Sequence, residues 1–454
     1  MTGDIATNKL RNEEFKIWKK TVPLLYQHIF SVKPKYLVSE KGLKKDRPRC
    51  MTFSNKVVPN KMRGVLSVFL FYSLDNEIYE IECEIPLGLH ISKELSSEKL
   101  PMPQYDGIIE KIQKSELTPK WRVSADRRIH KLRIAKEGSV IAMLDSGALV
   151  WFREGTESPI CIVESGQNVI PAIVETSENS ITEALAKVDL DFDVSDTGDM
   201  IIASQFTTDD SKVNVRLISN NENDMGKVIQ NFELTDVRSV HCIRFYTENI
   251  FAFTDNEGKL SFYDVRNPSN IIWFLPDEKI LSFDFSPYID TLLVTANTSG
   301  QLKFWDIRTI SSKAVNAKET KLESIFGLNN YVEEPVSSVD FSATSPSELI
   351  TVGYSGSVYH WDISTFFQRV NELADDLDNQ DESYSVDMEE IQTESLVFYH
   401  TGGSRRHLGR STKKNSVANH PLIEGLIGTI DTDGLVTVYK PFTGAIPEPE
   451  ESKD

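Results

Sequence analysis

LSFDFSPYIDTLLVTANTSGQLKFWDIR, from Leu281 to Arg308, and SSVDFSATSPSELITVGYSGSVYHWDIS, from Ser337 to Ser364, superpose without a gap at a displacement of 56 residues. The pairs Asp284/Asp340, Phe285/Phe341, Ser286/Ser342, Thr295/Thr351, Gly300/Gly356, Trp305/Trp361 and Asp306/Asp362 all keep that offset. A displacement of 42 brings EGKLSFYDVR (Glu257 to Arg266) onto SGQLKFWDIR (Ser299 to Arg308). Looser copies of the same ending stand at DSGALVWF (Asp145 to Phe152) and DTDGLVTVY (Asp431 to Tyr439). Within a copy, apolar and polar residues alternate, as in Leu302 and Phe304 against Gln301 and Lys303, and a period of two is that of a strand. A Gly preceded by Asp, Ser or Glu sits before the last run, where a tight hairpin needs a residue that accepts positive φ.

Copies of three or four strands, about 40 or more residues long and ending in Trp-Asp or Tyr-Asp, mark propeller blades. Their runs fall near 50–87, 119–153, 188–219, 238–267, 278–309, 335–363 and 394–441, which predicts an all-β, seven-bladed β-propeller. Ring closure requires the two ends of the chain to meet. The short run YLVSE (Tyr36 to Glu40), with no neighbour in sequence to pair with, is expected to add an outer strand to the last blade beside Tyr439.

A chain of 454 residues with 40% hydrophobic and 26% charged content has the composition of a globular protein. With 49 Lys and Arg against 68 Asp and Glu, its net charge of −19 repels phosphate polymers and favours basic partners, so direct binding of nucleic acid is not expected. Cys50, Cys83, Cys161 and Cys242 lie far apart without metal-ligand spacing and read as thiols of a reducing compartment. The N-terminus lacks a basic stretch followed by an apolar one, and no window approaches the roughly 18 apolar residues of a membrane span. A cytosolic or nuclear protein is expected.

From Glu13 to Phe30 the period changes to that of a helix, EEFKIWKKTVPLLYQHIF, with acids in its first turn. Phe15, Trp18, Val22, Leu25 and Ile29 fall within a sector of about 80° and form the face expected to dock on the propeller. Ile17 and Leu24 point nearly the opposite way, with Lys20, Thr21 and His28 around them, as an outward apolar spot for a partner. Pro23 removes one helical hydrogen bond and either kinks the helix or restarts it after Thr21.

The helix and the blade pair resemble the histone-binding WD-repeat family of the retinoblastoma-associated chaperone type. The resemblance runs from about Glu13 to Tyr439 and implies a helix packed on the last blade and an acidic insertion in the penultimate blade that helps to grip a histone helix. The matching insertion follows Trp361-Asp362 and precedes SLVFYHTGG. The chain lacks the Gly-His dipeptide whose His supports Trp-Asp in that family, and only two blades keep Trp-Asp. That degeneracy is similar to the fungal Ume-type transcriptional-modulator branch, which implies a subunit of class I histone deacetylase corepressor complexes.

Between Val370 and Ser404 there is no Lys or Arg, while Glu372, Asp375, Asp376, Asp378, Asp381, Glu382, Asp387, Glu389, Glu390 and Glu394 make ten acids. Two readings stand: a solvated acidic loop, or a site for a basic segment, of which Asp375, Asp376, Asp378, Asp381 and Glu382 with Ile17, Lys20, Leu24 and His28 are the partner-binding residues. Arg405, Arg406, Arg410, Lys413 and Lys414 follow as a solvated loop, an import signal or a counter-charge. DLDFDVSDTGD (Asp189 to Asp199) lacks the Gly and Glu of a calcium loop and alternates as a strand. The segments Ser165 to Lys187 and Ser311 to Glu334 read as long loops, the first with a short helix at ITEALAKV.

No His-Glu-x-x-His, Gly-x-Ser-x-Gly, phosphate-cradling or dinucleotide motif is present, so no catalytic, cofactor or metal residues are assigned. The expected organisation is a flexible N-terminus (1–12), a helix (13–30), a propeller (35–441) with closing strand 36–40 and acidic insertion 370–394, and a mobile acidic tail (442–454). The expected function is a monomeric, non-catalytic nuclear docking subunit within a hetero-oligomeric histone deacetylase corepressor. Its expected partners are corepressor subunits and histone tails or helices, with no membrane. A nuclear tether or chaperone for another cargo, and a propeller hydrolase, are the alternatives.

Overall fold

The computed structural model describes residues 26–32, 49–86, 117–165, 189–207, 212–267, 271–275, 279–314, 324–330, 333–354, 356–369, 388–400, 417–430 and 436–441. They form seven four-stranded antiparallel sheets, the seven-bladed propeller expected from the repeats. The first strand, β1 (Tyr26–Val32), belongs to the last sheet. Blade one holds β2 (Met51–Asn60), β3 (Val65–Leu74), β4 (Glu77–Pro86) and β5 (Trp121–Arg122). Blade two holds β6 (Ile129–Ile134), β7 (Val140–Leu144), β8 (Leu149–Phe152) and β9 (Cys161–Val163). Blade three has β10 (Phe192–Val194), β11 (Met200–Phe206), β12 (Lys212–Ser219) and β13 (Val228–Thr235). Blade four has β14 (Val240–Thr247), β15 (Ile250–Asp255), β16 (Leu260–Asp264) and β17 (Ile271–Leu275). Blade five has β18 (Ile280–Phe285), β19 (Leu292–Asn297), β20 (Gln301–Asp306) and β21 (Phe326–Asn329), with helix α1 (Ile307–Ala314) after β20. Blade six has β22 (Val336–Phe341), β23 (Glu348–Gly353), β24 (Val358–Asp362) and β25 (Leu396–His400), with helix α2 (Met388–Ser395) before β25. Blade seven has β26 (Val417–Asn419), β27 (Ile427–Ile430), β28 (Val436–Pro441) and β1 on its outer edge.

The first strand of each blade, β2, β6, β10, β14, β18, β22 and β26, walls the central channel, and the fourth lies at the rim. Each of the seven blade-to-blade interfaces has its own apolar cluster. Cys50, Phe71 and Trp121 meet Leu132 and Val150 between blades one and two, and Ile350, Val352 and Val358 meet Val417, Ile427 and Tyr439 between six and seven. The cluster that joins the ends of the chain sets Met51, Phe53 and Val68 against Leu426, Ile430, Val436 and Val438.

The hairpin glycines behave as the repeat predicts. Gly147, Gly258, Gly300 and Gly356 all have φ between 80° and 87°. At Gly258 a second reason applies, since a Cβ there would lie 2.5 Å from the Lys279 Cα, where blade four's turn abuts the entry to blade five. The Trp-Asp residues are held without Gly-His. Trp305 Nε1 donates to Thr295 Oγ1 at 2.9 Å, and Trp361 Nε1 donates to Thr351 Oγ1 at 3.0 Å. Thr351 in turn lies 3.1 Å from the Asn330 amide oxygen, so Asn330, from the link between blades five and six, does the supporting that the family gives to His. In blade two Trp151 Nε1 donates to Asn220 Oδ1 at 2.8 Å, and Asn220 Nδ2 donates to the Gly198 carbonyl at 2.7 Å.

Several boundaries differ from those read in the sequence, mostly at outer strands. Trp121 closes blade one, not blade two, and Leu396–His400 closes blade six instead of opening blade seven. The segment read as a loop from Ser311 carries the end of α1 and all of β21. Rim strands have one paired edge and one wet face, so they are short and weakly patterned; β5 has only two residues. The strand reading of DLDFDV holds, with β10 paired to β11.

Closure uses a different segment from the one expected. Tyr26–Val32 pairs antiparallel with β28, Tyr26 opposite Pro441 and Val32 opposite Val436, at the edge assigned to Tyr36 to Glu40. Residues 36–40 lie outside the described residues. A helix over 13–30 is therefore corrected at its C-terminal end: residues 26–30 are strand, and His28 and Ile29, given to its outer and docking faces, belong to β1, whose register shifts between His28 and Phe30. The physical reason is that β28 would otherwise leave a full edge of backbone donors and acceptors unpaired. Residues 13–25, the acids 370–387, the cluster 405–414, ITEALAKV and the tail 442–454 lie outside the described residues.

Two predictions follow from closure and from the tryptophan supports. A chain begun at residue 26 should keep its blade seven, whereas one begun at residue 33 exposes β28 and should melt several degrees lower and associate; equal melting of the two truncations would contradict closure by β1. Asn220→Ala, which strips Trp151 of its buried acceptor, should cost about 1–3 kcal/mol, read as a lower urea midpoint with an unchanged slope.

Candidate interaction surfaces

The acidic insertion is an excursion between the third and fourth strands of blade six. It departs from β24 through a helical turn at 364–369 and returns through α2 into β25. Both ends are fastened to blade five. Phe366 stacks on Phe326 at 3.7 Å between ring centroids, and Phe326 stacks on Phe304 at 4.1 Å. Ile391 of α2 is buried in the same cluster. The Gln392 side chain takes the Asn329 N–H at 2.7 Å and donates to the Asn329 carbonyl at 2.9 Å, extending the hydrogen bonding of β21 with an amide side chain. Glu389 and Glu394 remain exposed on α2.

Between that anchor and β1 lies the edge of blade six. The residues of β25 are half-buried, and its rings continue into blade seven: His400 stacks on Tyr439 at 4.4 Å, nearly parallel. His360 Nε2 lies 2.8 Å from the Tyr439 hydroxyl. Burial, with a smaller push from His400, depresses His360 to about 3, so this wedge carries no charge on His360 at neutral pH.

The channel wall holds a second constellation, in which side chains of one inner strand cap the free backbone N–H groups of the next. Asp191 Oδ2 accepts Ile243 N–H at 3.1 Å and Asp193 Oδ2 accepts Phe245 N–H at 2.9 Å, tying blade three to blade four. Ser282 Oγ accepts Val339 N–H at 3.1 Å and Asp284 Oδ2 accepts Phe341 N–H at 2.7 Å, tying five to six. Cations fill the spaces between them. Lys131 pairs with Asp191, both almost wholly buried, and Arg133 lies 3.3 Å from Asp193. Arg244 reaches Asp191 at 3.0 Å, Asp284 at 3.8 Å and Asp340 at 3.6 Å. Among the described residues no three His, Cys, Asp or Glu side chains gather to hold a metal ion. No helix among the described residues is long and apolar enough to cross a membrane.

Of the residues assigned from sequence, Phe15, Ile17, Trp18, Lys20, Val22, Leu24, Leu25, Asp375, Asp376, Asp378, Asp381 and Glu382 lie outside the described residues. His28 pairs with Tyr439 in the outer ladder of blade seven, and Ile29 lies at the register shift between His28 and Phe30. The channel constellation was missed, although the sequence carried its signal: Arg133, Asp193, Arg244, Asp284 and Asp340 recur at the same place in successive inner strands. Also missed was an exposed apolar rim, Ile160 and Ile162 at β9 with Val228 and Ile229 on β13, since the reading left those outer strands out.

Compared with known proteins, the chain is 35% identical over 463 residues to the transcriptional regulatory protein UME1 of Saccharomyces cerevisiae, covering 98% of this chain and 97% of that one. It is 31% identical over 450 residues to the transcriptional modulator WTM2 of the same organism, covering 93% and 94%. A more distant likeness, 21% over 447 residues and 96% and 91% of the two chains, is to the histone acetyltransferase type B subunit 2 of Candida glabrata. No family model matches the chain.

The channel and the surface should answer differently to loss of a cation. Arg244→Met leaves the buried Asp191 and the half-buried Asp284 and Asp340 without their shared partner and should cost about 3–5 kcal/mol, chiefly through Asp191. Arg308→Met breaks a bidentate pair with Asp306 at 2.6 Å, but Arg308 is 74% exposed, so its denaturant midpoint should stay close to that of the parent. Denaturant midpoints of the two variants measure the contrast.

Proposed function

The chain belongs to the family of transcriptional regulators and modulators that includes UME1 and WTM2, and from that premise we propose that it is a non-catalytic docking subunit of a nuclear histone deacetylase corepressor. It acts by binding. A rigid disc presents surfaces at its rim and faces, and partners held there are kept near chromatin. One arrangement above all supports this reading: the most acidic excursion of the chain leaves and rejoins blade six, the neighbour of the blade that the N-terminal segment completes. A basic amphipathic helix, of the kind histones supply, would meet acids from the excursion and apolar anchors from the segment before β1. Charge there contributes chiefly to association rate and specificity, and the apolar anchors to residence. A net charge of −19 fits basic protein partners and disfavours direct contact with nucleic acid. The full-length likeness to a histone acetyltransferase subunit supports histones as one class of partner.

Purified from nuclei under a tag, the protein should bring down class I deacetylase subunits; recovery of an unrelated cargo instead would favour a tether or chaperone. Ile17→Glu with Leu24→Glu should leave stability within about 0.5 kcal/mol and abolish capture of a basic amphipathic helix. Asn at Asp375, Asp376, Asp378 and Asp381 should slow association and weaken its salt dependence. A stable double Glu variant that still recovers every partner of the parent would move the working surface to the propeller faces.

A further inference from the structure

The channel constellation contains one carboxylate more than its cations can serve. Lys131, Arg133 and Arg244 face Asp191, Asp193, Asp284 and Asp340. Lys131 is committed to Asp191 and Arg133 to Asp193, and Arg244 spends one Nη1 hydrogen bond on Asp191 and another on the Ile243 carbonyl. Only its remaining edge is left for Asp284 and Asp340, at 3.8 and 3.6 Å, too far for a short charge-assisted hydrogen bond to either. Two acids on adjacent inner strands thus compete for one side of one guanidinium.

We propose that Asp284 holds a proton in the folded ring, where its carboxylate would otherwise face Asp340 across one edge of Arg244, making the joint between blades four, five and six a proton-responsive seal of the ring. The two positions are homologous, since they share the 56-residue offset of the repeat. Asp284 is fixed by its bond to Phe341 N–H and cannot swing away from Asp340 without uncapping β22. Its surroundings on every side are accounted for. Strand β14 offers Arg244 and the thiol of Cys242, β22 offers Asp340, and Asp193 of β10 with Arg133 of β6 complete the charged groups of the wall. Strand β19 has no ionisable residue, and Asp255 of β15 lies at the far end of its blade, opposite Val240. Burial, with Asp340 and Asp193 pushing the same way against Arg244 and the Phe341 N–H, lifts the Asp284 carboxyl to about 7.

The sign follows from linkage. A carboxyl raised on folding binds its proton more tightly in the ring than in the unfolded chain, so its contribution is full below the ordinary carboxylate range and is lost as pH rises through about 7. Above that pH the unneutralised pair repels across the seam of blades five and six.

Asp284→Asn tests this directly, because the amide oxygen can still accept Phe341 N–H while the proton site is gone. In potentiometric titration between pH 8 and 6, the folded parent should take up close to one proton more than Asp284→Asn. Over the same interval the parent's melting temperature should rise relative to the variant. Asp340→Asn leaves the free edge of Arg244 to Asp284 alone and should move the uptake to lower pH. Superimposable titrations with parallel melting profiles for parent and Asp284→Asn would overturn the proposal, as would an uptake that Asp340→Asn leaves in place. Should Asp284→Asn not fold, the shift or persistence of uptake in Asp340→Asn decides alone.

Discussion

Everything in this molecule rests on one pairing, the antiparallel ladder between Tyr26–Val32 and Val436–Pro441. A ring of sheets has two ends, and a last blade of three strands would show water a row of unpaired backbone groups. Borrowing the fourth strand from the far end of the chain converts a row of blades into a closed ring. The cluster of Met51 and Phe53 with Leu426, Ile430 and Val436 then packs as the other six interfaces do. Each interface is held by its two neighbours, so no blade needs a large core of its own.

Apolar burial holds the blades at mid-depth, but near the axis the inner strands have one edge without a neighbouring strand. Carboxylates and hydroxyls of the preceding blade fill that role, and the carboxylates then need counter-charges because water is scarce there. Lys131 and Arg244, with Asp191 between them, answer that need across blades two, three and four. The same economy appears in the tryptophan supports, where Asn220 and Asn330 provide acceptors from neighbouring turns and links. Degenerate repeats thus keep the physical function of the Trp-Asp network while changing the residues that perform it.

Under the proposed docking role this rigidity has a use. The acidic excursion of blade six is clamped at both feet, by Phe366 on one side and by Ile391 and Gln392 on the other. The ring wedge of His360, Tyr439 and His400 joins blades six and seven beside it.

Blade number and class were legible because inner and middle strands are buried on both faces and their period-two pattern, turn glycines and Trp-Asp endings are local. Thr295 and Thr351, visible as a repeated pair, proved to be the acceptors of Trp305 and Trp361. The sequence alone therefore determined an all-β ring of seven, the turn conformations at Gly258, Gly300 and Gly356, and the acidic excursion in blade six. It did not determine which N-terminal segment closes the ring, because strand and helix patterns overlap around Tyr26 and the choice depends on an edge more than 400 residues away in the chain. Nor did it determine the owner of each rim strand, or the sharing of Arg244 among Asp191, Asp284 and Asp340. Those are decided by which backbone edges and charges the closed ring brings face to face, and only tertiary structure sets that geometry.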